Sequence, residues 1–83
     1  MYFVYILFSE RFNKYYVGQT SNFNDRIKRH NDGYNRFTKP YGPWQKALVI
    51  EKSTRAEAID LERKLKNLSK QRLIAFINKY KTE

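Results

Sequence analysis

The sequence predicts an α+β domain, within the broad α/β class: a small three-stranded antiparallel sheet flanked by helices, in the order β-β-α-β-α-α. Three observations predict it. An apolar run rich in aromatic and β-branched residues opens the chain, and a second such run follows closely. Segments with helical spacing come next, each opened by a capping side chain. One short aliphatic run stands between the first and second of those segments.

Tyr2 to Phe8 reads as the first strand. Both of its faces are apolar, so it should be covered on both sides. Ser9 to Lys14 is a polar link, and Tyr15 to Gln19 reads as a second strand. So short a link favours an antiparallel hairpin. Ser21-Asn22 opens a helix that runs to about Asn31, where Asp32-Gly33 stops it. Tyr34 to Gln45 holds both prolines and reads as an irregular basic loop. Lys46 to Glu51 is the third strand. Thr54 and Glu57 form a capping box for a helix reaching about Leu68, and Ser69 caps a last helix ending near Tyr80. No repeat or low-complexity segment divides residues 1–83, which read as one domain.

Composition narrows the function. There are 17 Lys and Arg against 8 Asp and Glu, a net charge of +9. Such an excess disfavours the compact state through self-repulsion and suits a polyanionic partner, nucleic acid first. A membrane surface would need a basic helix with a wide apolar face to spare, and none is evident. The apolar N-terminal run is too short to span a bilayer and lacks the layout of a signal peptide. A cytoplasmic location is expected. With no cysteine, neither a disulfide-linked partner nor a zinc cluster is expected.

Several side chains look chemical. On the first helix Phe23, Arg26, Ile27 and His30 share one arc about 100° wide. Arg26 there either snorkels into water or holds an anion. His30 by itself fits a satisfied, half-buried histidine. On the second helix Glu62 lies inside the apolar arc of Ala58, Ile59, Leu61, Leu65 and Leu68. An i,i+4 ion pair with Lys66 explains it only partly, because such pairs contribute a few tenths of a kcal/mol. A cleft or a metal is the alternative. Tyr5 and Tyr16 should be neighbours across the hairpin, with Gly18 on the face of Tyr16. From spacing alone they read as ordinary core aromatics. A glycine inside a strand marks a bulge or close approach by a ligand.

These residues occur in an order that resembles the GIY-YIG endonucleases. Phe3-Val4-Tyr5 and Tyr16-Val17-Gly18 resemble the two name-giving triplets, although only the tyrosine of the first is kept. Gln19-Thr20, Arg26, His30 and the lone Glu62 follow in family order, and the likeness covers nearly the whole chain.

The resemblance implies metal-dependent hydrolysis of nucleic acid, of DNA in preference to RNA, with a place in DNA repair or recombination. Tyr5 is expected as general base and Tyr16 as the residue that orients the water, the two roles being exchangeable. Nearby positive charge from Arg26 should favour the phenolate. Arg26 should hold the phosphate, and His30 should relay a proton or touch the phosphate. Glu62 should bind Mg²⁺ (or Mn²⁺), a cation that keeps several waters and needs few carboxylates. Arg36, Lys39, Tyr41 and Lys66, with backbone approach at Gly18, are the expected nucleic-acid contacts. Trp44 is expected to pin the loop instead. Asn67 and Asn78 are the candidates for a further asparagine that some longer family members use beyond the metal glutamate. Tyr5, Tyr16, Arg26 and Glu62 are expected to line one face of the sheet. So small a core leaves little surface for reading bases, so cutting should follow nucleic-acid structure rather than sequence. The alternative is a non-catalytic nucleic-acid-binding module of the same fold, which would gain nothing from Glu62.

Overall fold

The computed structural model describes residues 1–82. Three strands, β1 (Tyr2–Ser9), β2 (Lys14–Thr20) and β3 (Gln45–Lys52), form a sheet in the order β2-β1-β3, antiparallel throughout. β1 is central, which explains why it is apolar on both faces. Its register sets Tyr5 against Gly18 on one side and Val49 on the other. Asn13 turns the β1–β2 hairpin at φ 52°, a left-handed conformation that asparagine tolerates.

Helix α1 (Phe23–Asn31) starts as the sequence predicts, with the Asn22 side chain accepting the Asp25 N–H. Gly33 ends it at φ 84°, and the Tyr34 N–H donates back to the Arg29 carbonyl. The irregular segment after it contains one 3-10 turn, Lys39–Tyr41, which the sequence does not mark. The capping box on α2 (Arg55–Lys66) is formed in both directions. The Ser69 hydroxyl accepts the Arg72 N–H ahead of α3 (Lys70–Thr82).

The sheet carries a different core on each face. Val4, Ile6, Val17, Leu48 and Ile50 pack against α2 and α3 through Ala58, Leu65, Leu73 and Ile77. Tyr5, Leu7 and Trp44 pack on the other face with Tyr16, Phe23, Ile27 and Tyr41. The alternation of side chains along β1 makes this division. Among the described residues no helix is long and apolar enough to cross a membrane.

Candidate active site

The site is built around Tyr5. Its residue is 1% exposed, and its ring lies over the backbone of Gly18. A β-carbon at Gly18 would stand 2.5 Å from Tyr5 Cζ, a collision with a ring packed on all sides. The close approach expected at this glycine is therefore made by Tyr5, within the chain, rather than by a ligand. That removes the reason for counting Gly18 among the nucleic-acid contacts.

Tyr5 Oη lies 2.9 Å from His30 Nε2. His30 Nδ1 lies 2.8 Å from the Thr38 hydroxyl. Thr38 Oγ1 in turn donates to the Asn35 carbonyl at 3.5 Å. A hydroxyl that donates there accepts from His30 Nδ1–H. Nε2 is then the bare nitrogen and accepts from the Tyr5 hydroxyl. His30 is 2% exposed, and its pKa is lowered by burial and secondarily by Arg26. It is thus a buried neutral imidazole with both nitrogens engaged.

Burial pushes the Tyr5 phenol up to about 12, and Tyr16 adds to the rise. Arg26 pulls the other way, as its charge requires, but burial outweighs it. The sequence favours a phenolate held by positive charge; in the folded protein Tyr5 keeps its proton. Glu62 also bears on the Tyr5 phenol and raises its pKa, so its charge is felt at the hydroxyl.

Tyr16 completes the aromatic cluster, its ring centroid 4.9 Å from that of His30 and 6.4 Å from that of Tyr5. It is half-buried, and Lys66 Nζ stands 6.0 Å from its ring centroid. Lys66 also pairs with Glu62 at 3.4 Å, where the carboxylate side chain is 21% exposed. The expected arrangement on one face of the sheet is corrected here. Tyr5, Tyr16 and His30 belong to the α1 side of the sheet, whereas the apolar side of α2 packs on the other face. From α2, Lys66 approaches the Tyr16 ring on the edge strand β2 and carries Glu62 as its ion-pair partner. The site is a sheet edge, not a single face.

The loop divides in function. Trp44 is buried and donates its indole N–H to the Thr38 carbonyl at 2.9 Å. The Asn31 side chain closes the same clamp, donating to the Trp44 carbonyl and accepting the Trp44 N–H. Trp44 thus pins the loop, as its position before β3 predicts. Tyr41 is half-buried under Lys14 and Phe12, and Lys39 lies along Gly33. Tyr41 belongs to the packed core of the Tyr5 face. Arg36 is exposed. Sequence reasoning misses Thr38 and Asn31, whose roles depend on contacts across the loop. It also misses Tyr34, 77% exposed beside Arg26 and Arg29, and Phe37, 80% exposed on the same loop.

Comparison with known proteins bears on this arrangement. The GIY-YIG catalytic domain family matches residues 1–81. The chain belongs to the GIY-YIG family. A solution NMR structure of a UPF0213 protein from Bacillus halodurans is 28% identical to it, covers 94% of this chain and 84% of its own, and superposes with a TM-score of 0.61. No match was found among curated proteins. Phe3 and Val4 fall on strand positions with no part in the Tyr5–His30–Thr38 hydrogen-bond chain. Val4 is a core residue of the α2–α3 face.

Proposed function

We propose that this GIY-YIG domain is a divalent-metal-dependent endonuclease that hydrolyses phosphodiester bonds, acts on DNA before RNA and is directed by nucleic-acid structure. The observation that supports this is the hydrogen-bond chain Tyr5–His30–Thr38, with the charges of Arg26 and of the part-buried Glu62 both acting on the Tyr5 phenol. A pure phosphate binder has no use for that carboxylate, because it repels the ligand.

The residues fit a hard cation. Among the described residues there is no group of three or more His, Cys, Asp or Glu, so a fully caged ion is out of place. Mg²⁺ keeps most of its waters and is commonly held by one or two carboxylates and the substrate phosphate. Glu62 already attracts one cation, the Lys66 ammonium. Glu62 would hold the metal, which would supply charge stabilisation at the leaving oxygen.

The remaining steps belong to side chains. Arg26 grips the phosphate through its planar fork and offsets developing charge. Tyr5 takes a proton from the attacking water while handing its own to His30 Nε2, so no free phenolate is needed. Thr38 holds the imidazole in the accepting tautomer. Tyr16 orients the water from the more open side.

Branched, single-stranded and duplex substrates of DNA and RNA, assayed with and without Mg²⁺, test the proposal. Glu62→Gln should abolish metal-dependent cleavage while binding stays equal or tightens. Its stability should change by no more than about 0.5 kcal/mol, the scale of an i,i+4 pair. A folded Glu62→Gln protein that still cuts would sink the role of Glu62, and binding without cleavage by the unaltered chain would favour the non-catalytic module.

A further inference from the structure

A groove of about 640 Å³ runs from the tyrosine cluster along the outer edge of β2, between the β1–β2 hairpin and the α2–α3 junction. Tyr16 and Lys66 stand at its catalytic end, and Phe12, Lys14 and Lys70 line it beyond them. Its volume is that of an ordinary small-ligand pocket, roughly 300–1,000 Å³.

Its chemistry is specific. The lining holds three lysines and no carboxylate, over a floor of leucines from α2 and α3. Lys66 shares the charge of Glu62. The other two, among the described residues, meet neutral groups: Lys14 Nζ stands 4.1 Å from the Tyr41 ring centroid, and Lys70 Nζ donates to the Asn13 carbonyl at 2.6 Å. Phe12 is 41% exposed at the rim. A groove for phosphates alone has no need of an apolar floor and an open ring. A groove for a peptide strand has no need of a row of lysines. Both features together suit a strand whose phosphates follow the lysines and whose bases are unstacked and turned onto apolar surface.

We propose that this groove binds the single-stranded tract adjoining the scissile phosphate, with Lys14 and Lys70 on its phosphates and Phe12 against a base. The assignment rests on the nuclease reading for its orientation, since Tyr16 and Lys66 are the shared end. Duplex nucleic acid keeps its bases stacked and has no base face to place there.

The test is binding without chemistry. Fluorescence anisotropy in EDTA compares a labelled single-stranded oligonucleotide with a blunt duplex of the same sequence, over a range of salt. Lys14→Gln with Lys70→Gln should make the slope of log affinity against log salt shallower by roughly 1.4 for the single strand, about 0.7 for each phosphate no longer neutralised. Phe12→Ala should weaken single-strand binding about tenfold, the scale of one base stacked on a ring. Duplex binding should hold in both variants. Glutamine keeps a donor for the Asn13 carbonyl, and a thermal melt establishes that each variant is folded. An unaltered slope in the lysine variant, or equal losses on duplex and single strand, overturns the proposal. If the unaltered chain shows these binding preferences but never cuts, the nuclease reading fails and the groove stands.

Discussion

Ile6 and Tyr5 are neighbours in the central strand and belong to opposite halves of the molecule. Ile6 enters the α2–α3 face, where the buried residues are aliphatic side chains and Ala58. Tyr5 enters the α1 face, where His30, Thr38 and Ser9 are buried among aromatic rings. Every buried side-chain polar atom among the described residues has a hydrogen-bond partner. The first face exchanges apolar area with water and asks little of geometry. The second fixes directions, because a buried donor without its acceptor costs about 1–3 kcal/mol. A domain this small places its stability on one side of the sheet and its directed chemistry on the other. The two halves come closest at the β2 edge, where Lys66 of α2 approaches the Tyr16 ring.

That division breaks most heavily at Ile6. Ile6→Ala should lower stability by about 2–5 kcal/mol through lost burial and a cavity. Protein that remains folded in the cold should still cut. A denaturant titration showing under about 1 kcal/mol would mean that this face is not the core. Tyr16→Phe should do the reverse. Among the described residues its hydroxyl makes no hydrogen bond that holds the fold, so melting should barely move while cleavage falls by about 10²-fold, or about 2.7 kcal/mol of barrier. A fully active Tyr16→Phe would return the ring to simple packing. Tyr5→Phe should show both losses, because it also strips His30 Nε2 of its partner.

Thr38→Val tests the polar face from a distance, since it changes no group at the phosphate. Loss of the Nδ1 partner should cost about 1–3 kcal/mol in melting experiments and lower cleavage, and Thr38→Ser should restore both. A Thr38→Val protein as stable and as active as Thr38→Ser would remove Thr38 from the chain.

The smallest effect is the acid response. Burial, and then Arg26, holds the His30 pKa below its ordinary value of about 6.5. Between the folded value and that figure the unfolded chain binds more protons, so stability rises with pH there. The contribution is complete above about 6.5 and is lost as pH falls through the folded value. His30 is the single histidine of the chain, so the readout is its own. A melting temperature that stays flat on acidification just below neutrality would contradict it.

Local chemistry wrote much of the fold into the sequence. Asn22, the Thr54–Glu57 box and Gly33 act within a few residues of themselves, so the helix ends could be read directly. The two-sided apolar pattern of Tyr2 to Phe8 announced a covered strand, and β1 is the central one. The ordered tyrosines, Arg26, His30 and Glu62 indicated the family before any contact was known.

Tertiary structure decided what those residues do. His30 acquires its tautomer from Thr38, which the Asn35 turn and the Asn31–Trp44 clamp together hold in place. Gly18 is small because Tyr5, from another strand, fills its space. The charge of Glu62 bears on the Tyr5 phenol, although its helix packs on the opposite face. The sequence determined which segments form helices and strands, because caps, turns and periodicity are short-range. It did not determine hydrogen-bond direction, burial of a phenol or meeting at an edge. Those depend on distances between segments far apart in the chain, and packing alone sets them.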